Sequence, residues 1–431
     1  MQQTLDDHDT SYLHHLRISS AKQLDKRPAI TVKLEHDNSI TEPSSKLQPY
    51  APILDVKHTT SPTANNPSSL TPLATFIAHE LRRVFAEEQT TLTHLLTSSD
   101  YAAPNVRVSE DAISALNQRS NRAFKYSPTY HLTFSLFSGS ATPSTWDIQS
   151  ALDDYLEPLL QSLSPISTFT VDTQVQLYAA LSPSLRGPHF QSDVNAWTLQ
   201  RADLSGFVNA AEWPLSPSIG VGPTINFVLY VPSEKQRPLM ISGTGGTNWL
   251  IPQWGGVQIL NPSAAQHAQG NLTKEDLYPV ILTFADQLVS LLAMPSKPAS
   301  LPLRLDSLTR ERTTSTIISA SSTLGALARL TLKLTSIAIP DNVATSVSSS
   351  LHHLEQACTD LREAQYDSAL RNARTAEAEA EKAFFEPSMV GQVYFPDEHK
   401  VAVYVPLLGP MAVPLVLAAL KEVKKLRRRV S

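Results

Sequence analysis

The sequence predicts an α/β domain followed by a helical hairpin and a C-terminal transmembrane helix. Three observations predict it. A two-residue apolar alternation at Tyr130 to Phe137 is interleaved with helix-period segments further along. Beyond the proline-containing connection Lys297 to Leu303 only helical periodicity remains. Last, Val401 to Leu420 is uncharged and runs into Lys421, Lys424, Lys425, Arg427, Arg428 and Arg429.

Residues 1–125 form a partly disordered N-terminal region in this reading. His36 to Pro72 is rich in Ser, Thr, Pro and Asn and buries too little apolar surface to offset ordering entropy. Leu73 to Leu96 has helical spacing through Phe76, Ile77, Leu81, Val84 and Phe85. The α/β domain spans 126–303. Leu132, Phe134 and Leu136 alternate with His131, Thr133 and Ser135, the pattern of a half-buried strand. Trp146 to Leu163 places Ile148, Leu152, Tyr155, Leu156, Leu159 and Leu163 on one helical face, with a kink or break at Pro158. Further strands are predicted at Phe169–Val171, Val175–Ala179, Ile225–Val231 and Val257–Leu260. A helix follows at Leu277–Met294, with Pro279 tolerated in its first turn.

A helical region covers 304–390. Ile317, Ala320, Leu324, Leu327 and Leu334 have heptad-like spacing; Val343, Val347, Leu351, Leu354, Cys358 and Leu361 recur at three and four. Pro340-Asp341 separates the two helices, with Asp341 as the predicted N-cap. A third helix, Tyr366 to Phe385, is rich in Ala and Glu. The span is placed at 400–421. Twenty helical residues cover roughly the 30 Å of a bilayer core. Pro406, Pro410 and Pro414 fall on one stripe of it. The basic tail, 422–431, marks the cytosolic side and puts the preceding body in a lumen. Met1 to Ser45 has no apolar leader, which leaves two readings: a first hydrophobic segment missing from this sequence, favoured by the orientation rule, or a tail-anchored protein facing the cytosol, with the basic cluster on the wrong side.

The net charge of −5 implies no broad nucleic-acid surface. The local basic cluster calls instead for anionic membrane lipid. Cys358 is the sole cysteine, which excludes an internal disulfide and a Cys-based zinc site. Gln356-Ala357-Cys358 copies half of the caspase nucleophile signature, but Thr359-Asp360 follows and no histidine lies at the required distance upstream. The cysteine sits on an apolar helical stripe, where thiols behave as small hydrophobes. Gly243-Thr244-Gly245-Gly246 lacks the strand, helix and Gly-Lys-Ser/Thr of a phosphate loop. His14-His15 and His352-His353 are adjacent, not four apart, and make no helical metal face. No catalytic set, metal site or cofactor motif is identified. Trp254, Gly255 and Gly256 form a candidate partner contact at the entry to a strand. Asn271-Leu272-Thr273 is an N-glycosylation sequon.

Several stretches resemble the PIG-S family. They are Trp146-Asp-Ile with Tyr155-Leu-Glu-Pro, Val171-Asp-Thr-Gln, Ile225-Asn-Phe-Val-Leu-Tyr-Val-Pro, Trp254-Gly-Gly, Ala383-Phe-Phe-Glu-Pro-Ser-Met, and Val393-Tyr-Phe-Pro-Asp-Glu-His-Lys with Pro410-Met-Ala-Val-Pro-Leu. They occur in the family's order over about 125–420; the first 125 residues match poorly and lack its first membrane helix. The resemblance implies a luminal accessory subunit of the GPI transamidase complex in the endoplasmic reticulum membrane, with the C-terminus cytosolic. That complex joins preassembled GPI anchors to precursor proteins. The implied partners are PIG-K, PIG-T, PIG-U and the GPI-anchor attachment subunit, and the implied catalytic cysteine lies on PIG-K. The alternatives are a membrane-bound luminal hydrolase and a structural adaptor for other membrane cargo.

Overall fold

A computed structural model describes residues 2–4, 13–19, 30–59, 72–97, 109–179, 187–200, 222–263, 270–333, 339–389 and 397–430. The chain divides into two compact units, 1–312 and 313–431.

The first unit opens with β1 (Gln2–Thr4), β2 (Leu13–Ser19), β3 (Thr31–His36), β4 (Ser44–Leu47) and β5 (Ile53–His58). They form one sheet in the order β1-β2-β3-β5-β4, in which only β3 and β5 are parallel. Composition argues for weak structure here, yet Val32, Leu34, Leu54 and Val56 are buried. They pack with Ile77 and Val84 of helix α1 (Pro72–Val84) and with Leu303. Four alternating apolar residues suffice to give the sheet one dry face, and the polar residues between them take the other. The Ser/Pro/Asn-rich residues 60–71 lie outside the described residues. Helices α2 (Ala86–Thr97) and α3 (Glu110–Arg122) follow.

The central sheet is built from β6 (Thr129–Ser138), β8 (Thr168–Gln176), β11 (Thr224–Val231), β13 (Asn248–Ile251) and β14 (Gly255–Ile259). Between them come β7 (Thr145–Trp146), α4 (Ile148–Tyr155), α5 (Glu157–Leu163), β9 (His189–Gln191), β10 (Ala196–Leu199) and β12 (Leu239–Ile241); β15 (Asn271–Leu272) and α6 (Lys274–Leu291) close the set. The order is β13-β14-β11-β6-β8; the last four are mutually parallel and β13 is an antiparallel edge. The helix predicted over Trp146 to Leu163 breaks at Leu156, and Pro158 lies in the first turn of α5. The two short strands predicted at 169–171 and 175–179 are one strand that ends at Gln176, with no glycine or proline in Asp172-Thr173-Gln174 to interrupt it.

The alternation in β6 misleads in one respect. The strand is buried on both faces, Thr133 and Ser135 included. Its neighbours are β8 and β11, and a central parallel strand is covered on both sides. On one face Phe134 and Phe227 meet Phe284 of α6, with ring centroids 5.1–6.0 Å apart. Each buried phenylalanine contributes on the order of 2–3 kcal/mol. On the other face Phe137, Val228, Tyr230, Val257 and Ile259 lie under Leu199 and Leu239 of the small sheet β12-β10-β9.

The second unit is helical. It takes the later turns of α7 (Leu301–Lys333), then α8 (Asp341–Arg362), α9 (Tyr366–Phe384) and α10 (Asp397–Val430). Pro340, not Asp341, occupies the α8 N-cap. Ala364 takes a left-handed φ of 59° in the three-residue turn between α8 and α9. The alanines of α9 are its packing face: Ala369, Ala373, Ala376, Ala380 and Ala383 are all buried. Small side chains let the backbones approach, and Ser350 donates its hydroxyl to the Ala376 carbonyl at 2.7 Å. Leu327 packs with Val343, Ala383 and Met389. Leu334 and the motif residues 393–396 lie outside the described residues.

The transmembrane part of the predicted fold class is corrected. Among the described residues no helix is long and apolar enough to cross a membrane. In α10 the side chains of Val401, Ala402 and Leu407 lie outside the described residues. Tyr404 and Pro406 lower the apolar character of α10. Gly409, Pro410 and Pro414 dilute its apolar character further.

Charged groups bind the helices of the first unit. Arg119 of α3 donates to Glu311 of α7 at 2.6 Å and to Glu87 of α2 at 3.3 Å. Glu87 also accepts the backbone N–H groups of Ser296 and Lys297, and Arg310 donates to Glu88 at 2.7 Å. Glu311 is buried, and its Oε1 has no hydrogen-bond partner among the described residues. Burial pushes its carboxyl up to about 7, outweighing the pull of Arg119 and Arg312. The folded state therefore holds this proton more tightly than the unfolded chain does. The resulting stability is fully present below the unfolded value of 4.5 and is lost as pH rises through about 7. Glu311→Gln is expected to remove a pH-dependent term of roughly 3 kcal/mol. Thermal melts at pH 5 and pH 8 should show a smaller difference for the variant than for the parent.

Candidate functional site

Trp254, Gly255 and Gly256 connect β13 to β14 and begin β14. The Trp254 carbonyl accepts the Asn226 backbone N–H at 3.0 Å, and the Trp254 N–H donates to Ile251. The indole is partly buried against the Phe137–Tyr230–Val257 cluster. Gly255 has φ +155°, and a Cβ there would lie 1.8 Å from the Asn226 carbonyl oxygen. A Cβ on Gly256 would lie 1.8 Å from Gln287 Oε1 of α6. Gln287 in turn donates to the Trp249 carbonyl at 3.1 Å. The glycines thus let β11 and α6 approach the first turn of β14 more closely than any side chain permits. Both glycines are buried.

Asn271 sits in β15, paired with β7, at the foot of α6. Its Oδ1 accepts the Thr145 hydroxyl at 2.9 Å. That bond uses the amide oxygen, not the nitrogen that carries a glycan. Thr273, the third sequon residue, caps α6 in a capping box with Asp276. Cys358 is half-buried within α8. Pro406, Pro410 and Pro414 are exposed along α10, as are Lys421, Lys424 and Lys425. Arg427, Arg428 and Arg429 belong to the same helix, and their side chains lie outside the described residues. Among the described residues of each unit, the structure records no contact that joins these groups into one site.

It does assemble a set that sequence order hides. His131 of β6 lies between Thr170 and Asp172 of β8, with Nδ1 2.6 Å from Thr170 Oγ1 and Nε2 2.9 Å from Asp172 Oδ2. Residues two apart on a strand point the same way, so β8 offers hydroxyl and carboxylate together. With both ring nitrogens engaged, the imidazole is a clasp between the two strands. The only sequence signal is the two-residue spacing of Thr170 and Asp172; the histidine comes from 39 residues upstream of the threonine. Among the described residues no group of three His, Cys, Asp or Glu can hold a metal ion. A cleft lined by Tyr126, Tyr130, Phe169, Leu292 and Arg312 has room for about one water molecule. There Arg312 donates to the Leu292 carbonyl at 2.7 Å and lies 5.3 Å from the Tyr126 ring centroid.

Gly255→Ala is expected to destabilise the first unit by about 2–4 kcal/mol, through a steric clash and a backbone conformation that alanine resists. Urea denaturation measures it; a variant as stable as the parent contradicts the close approach to Asn226.

The family model described as PIG-S, Phosphatidylinositol-glycan biosynthesis class S protein, matches residues 1–429. It therefore includes the N-terminal region that the motifs do not reach. The GPI-anchor transamidase component PIGS of Bos taurus is 33% identical over 324 residues, which cover 70% of this chain and 58% of that protein. The GPI transamidase component PIG-S homolog of Schizosaccharomyces pombe is 32% identical over 317 residues, 71% of this chain and 56% of that protein. The GPI transamidase component GPI17 of Saccharomyces cerevisiae is 28% identical over 312 residues, 67% and 57% of the two chains. The chain thus spans less than three fifths of the length of these relatives. On the match over 1–429 and on these identities, the chain belongs to the PIG-S family.

Proposed function

We propose that this chain is an accessory subunit of GPI transamidase, supporting attachment of preassembled GPI anchors to precursor proteins. The observation that carries the reading is the family match across 1–429, joined to relatives named as components of that transamidase. The thiol that performs the transfer belongs in this reading to another subunit. Supporting that, Cys358 lies half-buried inside α8 of the helical hairpin. A nucleophilic thiol needs an electropositive, accessible setting. The partners are PIG-K, PIG-T, PIG-U and the GPI-anchor attachment subunit, and the main body faces the lumen of the endoplasmic reticulum. There Asn271 carries a glycan, its amide nitrogen being spared by the bond to Thr145.

Saccharomyces cerevisiae cells depleted of GPI17 and expressing this chain are expected to process GPI precursors again. Cys358→Ser should support processing within about twofold of the parent chain. Accumulated precursor despite normal amounts of the chain, or a strong loss in the cysteine variant, contradicts the reading. Asn271→Gln should abolish a glycosidase-sensitive step in gel mobility.

A further inference from the structure

One edge of the central sheet is built to be paired. The strand order ends on β8, which has a neighbour only on its β6 side among the described residues. Thr168 donates its backbone N–H to Pro128 on that inner side at 2.9 Å. Backbone groups of a parallel ladder alternate between sides. Thr170, Asp172, Gln174 and Gln176 therefore bond inward with Thr168. Phe169, Val171, Thr173 and Val175 turn their N–H and C=O groups outward.

Exposed edges are normally blunted by short length, lysine, proline or a bulge. The opposite edge, β13, follows that rule with four residues. By contrast β8 has nine residues, TFTVDTQVQ, with no proline and no basic residue. Val171 and Val175 are 40% and 41% exposed on one face, and Asp172 presents its carboxylate on the other, its side chain 59% exposed. The His131 clasp fixes this strand to β6 through Thr170 and Asp172. The outer edge is thereby held straight without being used.

Alternating donors and acceptors repeating every two residues, roughly 6.6 Å, match the backbone of another extended polypeptide. A helix, lipid or nucleotide cannot satisfy both. Charge decides whose polypeptide it is. Antiparallel pairing of two copies over the whole strand centres on Asp172 and sets it against its own image. That position is a non-hydrogen-bonded pair, with Cα atoms only about 4.5 Å apart, and like charges there repel. The same closeness favours a basic residue from a different chain.

We propose that β8 is a strand-addition site that takes an extended segment of a partner protein, with lysine or arginine opposite Asp172 and apolar residues opposite Val171 and Val175. The site stands on the sheet geometry and holds whether or not the assembly is the one proposed above.

The test uses the full chain and a labelled nine-residue peptide with lysine at the centre, valine at the second, fourth, sixth and eighth positions, and threonine elsewhere. Hydrogen exchange should slow by at least about tenfold at the outward amides of Phe169, Val171, Thr173 and Val175 when the peptide binds. The same peptide N-methylated on the residues that donate to β8 should not bind, and one with central glutamate should bind more weakly. Thr173→Pro removes an outward donor and leaves the inner ladder intact, so binding should fall at least about tenfold with no change in melting temperature. Asp172→Lys should reverse the preference toward the glutamate peptide. Equal binding of the methylated peptide, no slowing of exchange, or concentration-dependent protection of the chain alone each overturns the proposal, the last by showing that a second copy fills the edge.

Discussion

Two parallel strands, β6 and β11, are paired on both edges and covered on both faces, and the first unit is arranged around that enclosure. Water cannot reach such strands, so each residue on them must be apolar or find a partner inside. The aromatic trio Phe134, Phe227 and Phe284 meets the first condition on the side of α6. Ser135, which accepts from Gln174 at 2.8 Å, and His131 meet the second on the opposite side. The enclosure also explains the glycine pair. Helix α6 lies close enough to fill one face only because β14 begins without side chains beneath Gln287 and beside Asn226.

The second unit solves packing with small residues in place of large ones. A row of alanines on α9 faces Ser346, Ser350 and Ala357 of α8. Polar bonds then replace lost apolar area: Ser350 to the Ala376 carbonyl, His353 with Asn372, and Asn372 to Asp360. An interface of this kind is specific but modest in buried area, and each net hydrogen bond adds about 1 kcal/mol. The composition of α9, so rich in Ala and Glu, follows from one face serving the hairpin and the other serving water.

Family membership and geometry describe the protein at different levels. The match over 1–429 places the chain among PIG-S proteins, and nothing in the first unit needs to be catalytic for that to hold. The residues singled out from the sequence do different work in the fold. Trp254, Gly255 and Gly256 shape a strand entry; Thr273 of the sequon caps a helix. The outer edge of β8 is aimed away from the core, and an extended backbone and the Asp172 carboxylate are presented together there.

The periodicity of the sequence determined much of the secondary structure. The strand at 129–138, the break at Pro158, the helix with Pro279 in its first turn and the paired helices 341–362 and 366–384 follow from apolar spacing and proline chemistry, both local properties. Tertiary structure alone decided the rest. Strand order turned a seemingly half-exposed β6 into a fully enclosed one. Four well-spaced apolar residues outweighed the polar composition of 31–58. The His131–Thr170–Asp172 clasp joins residues about 40 apart. Such pairing depends on register between strands, and no local pattern encodes which strands become neighbours.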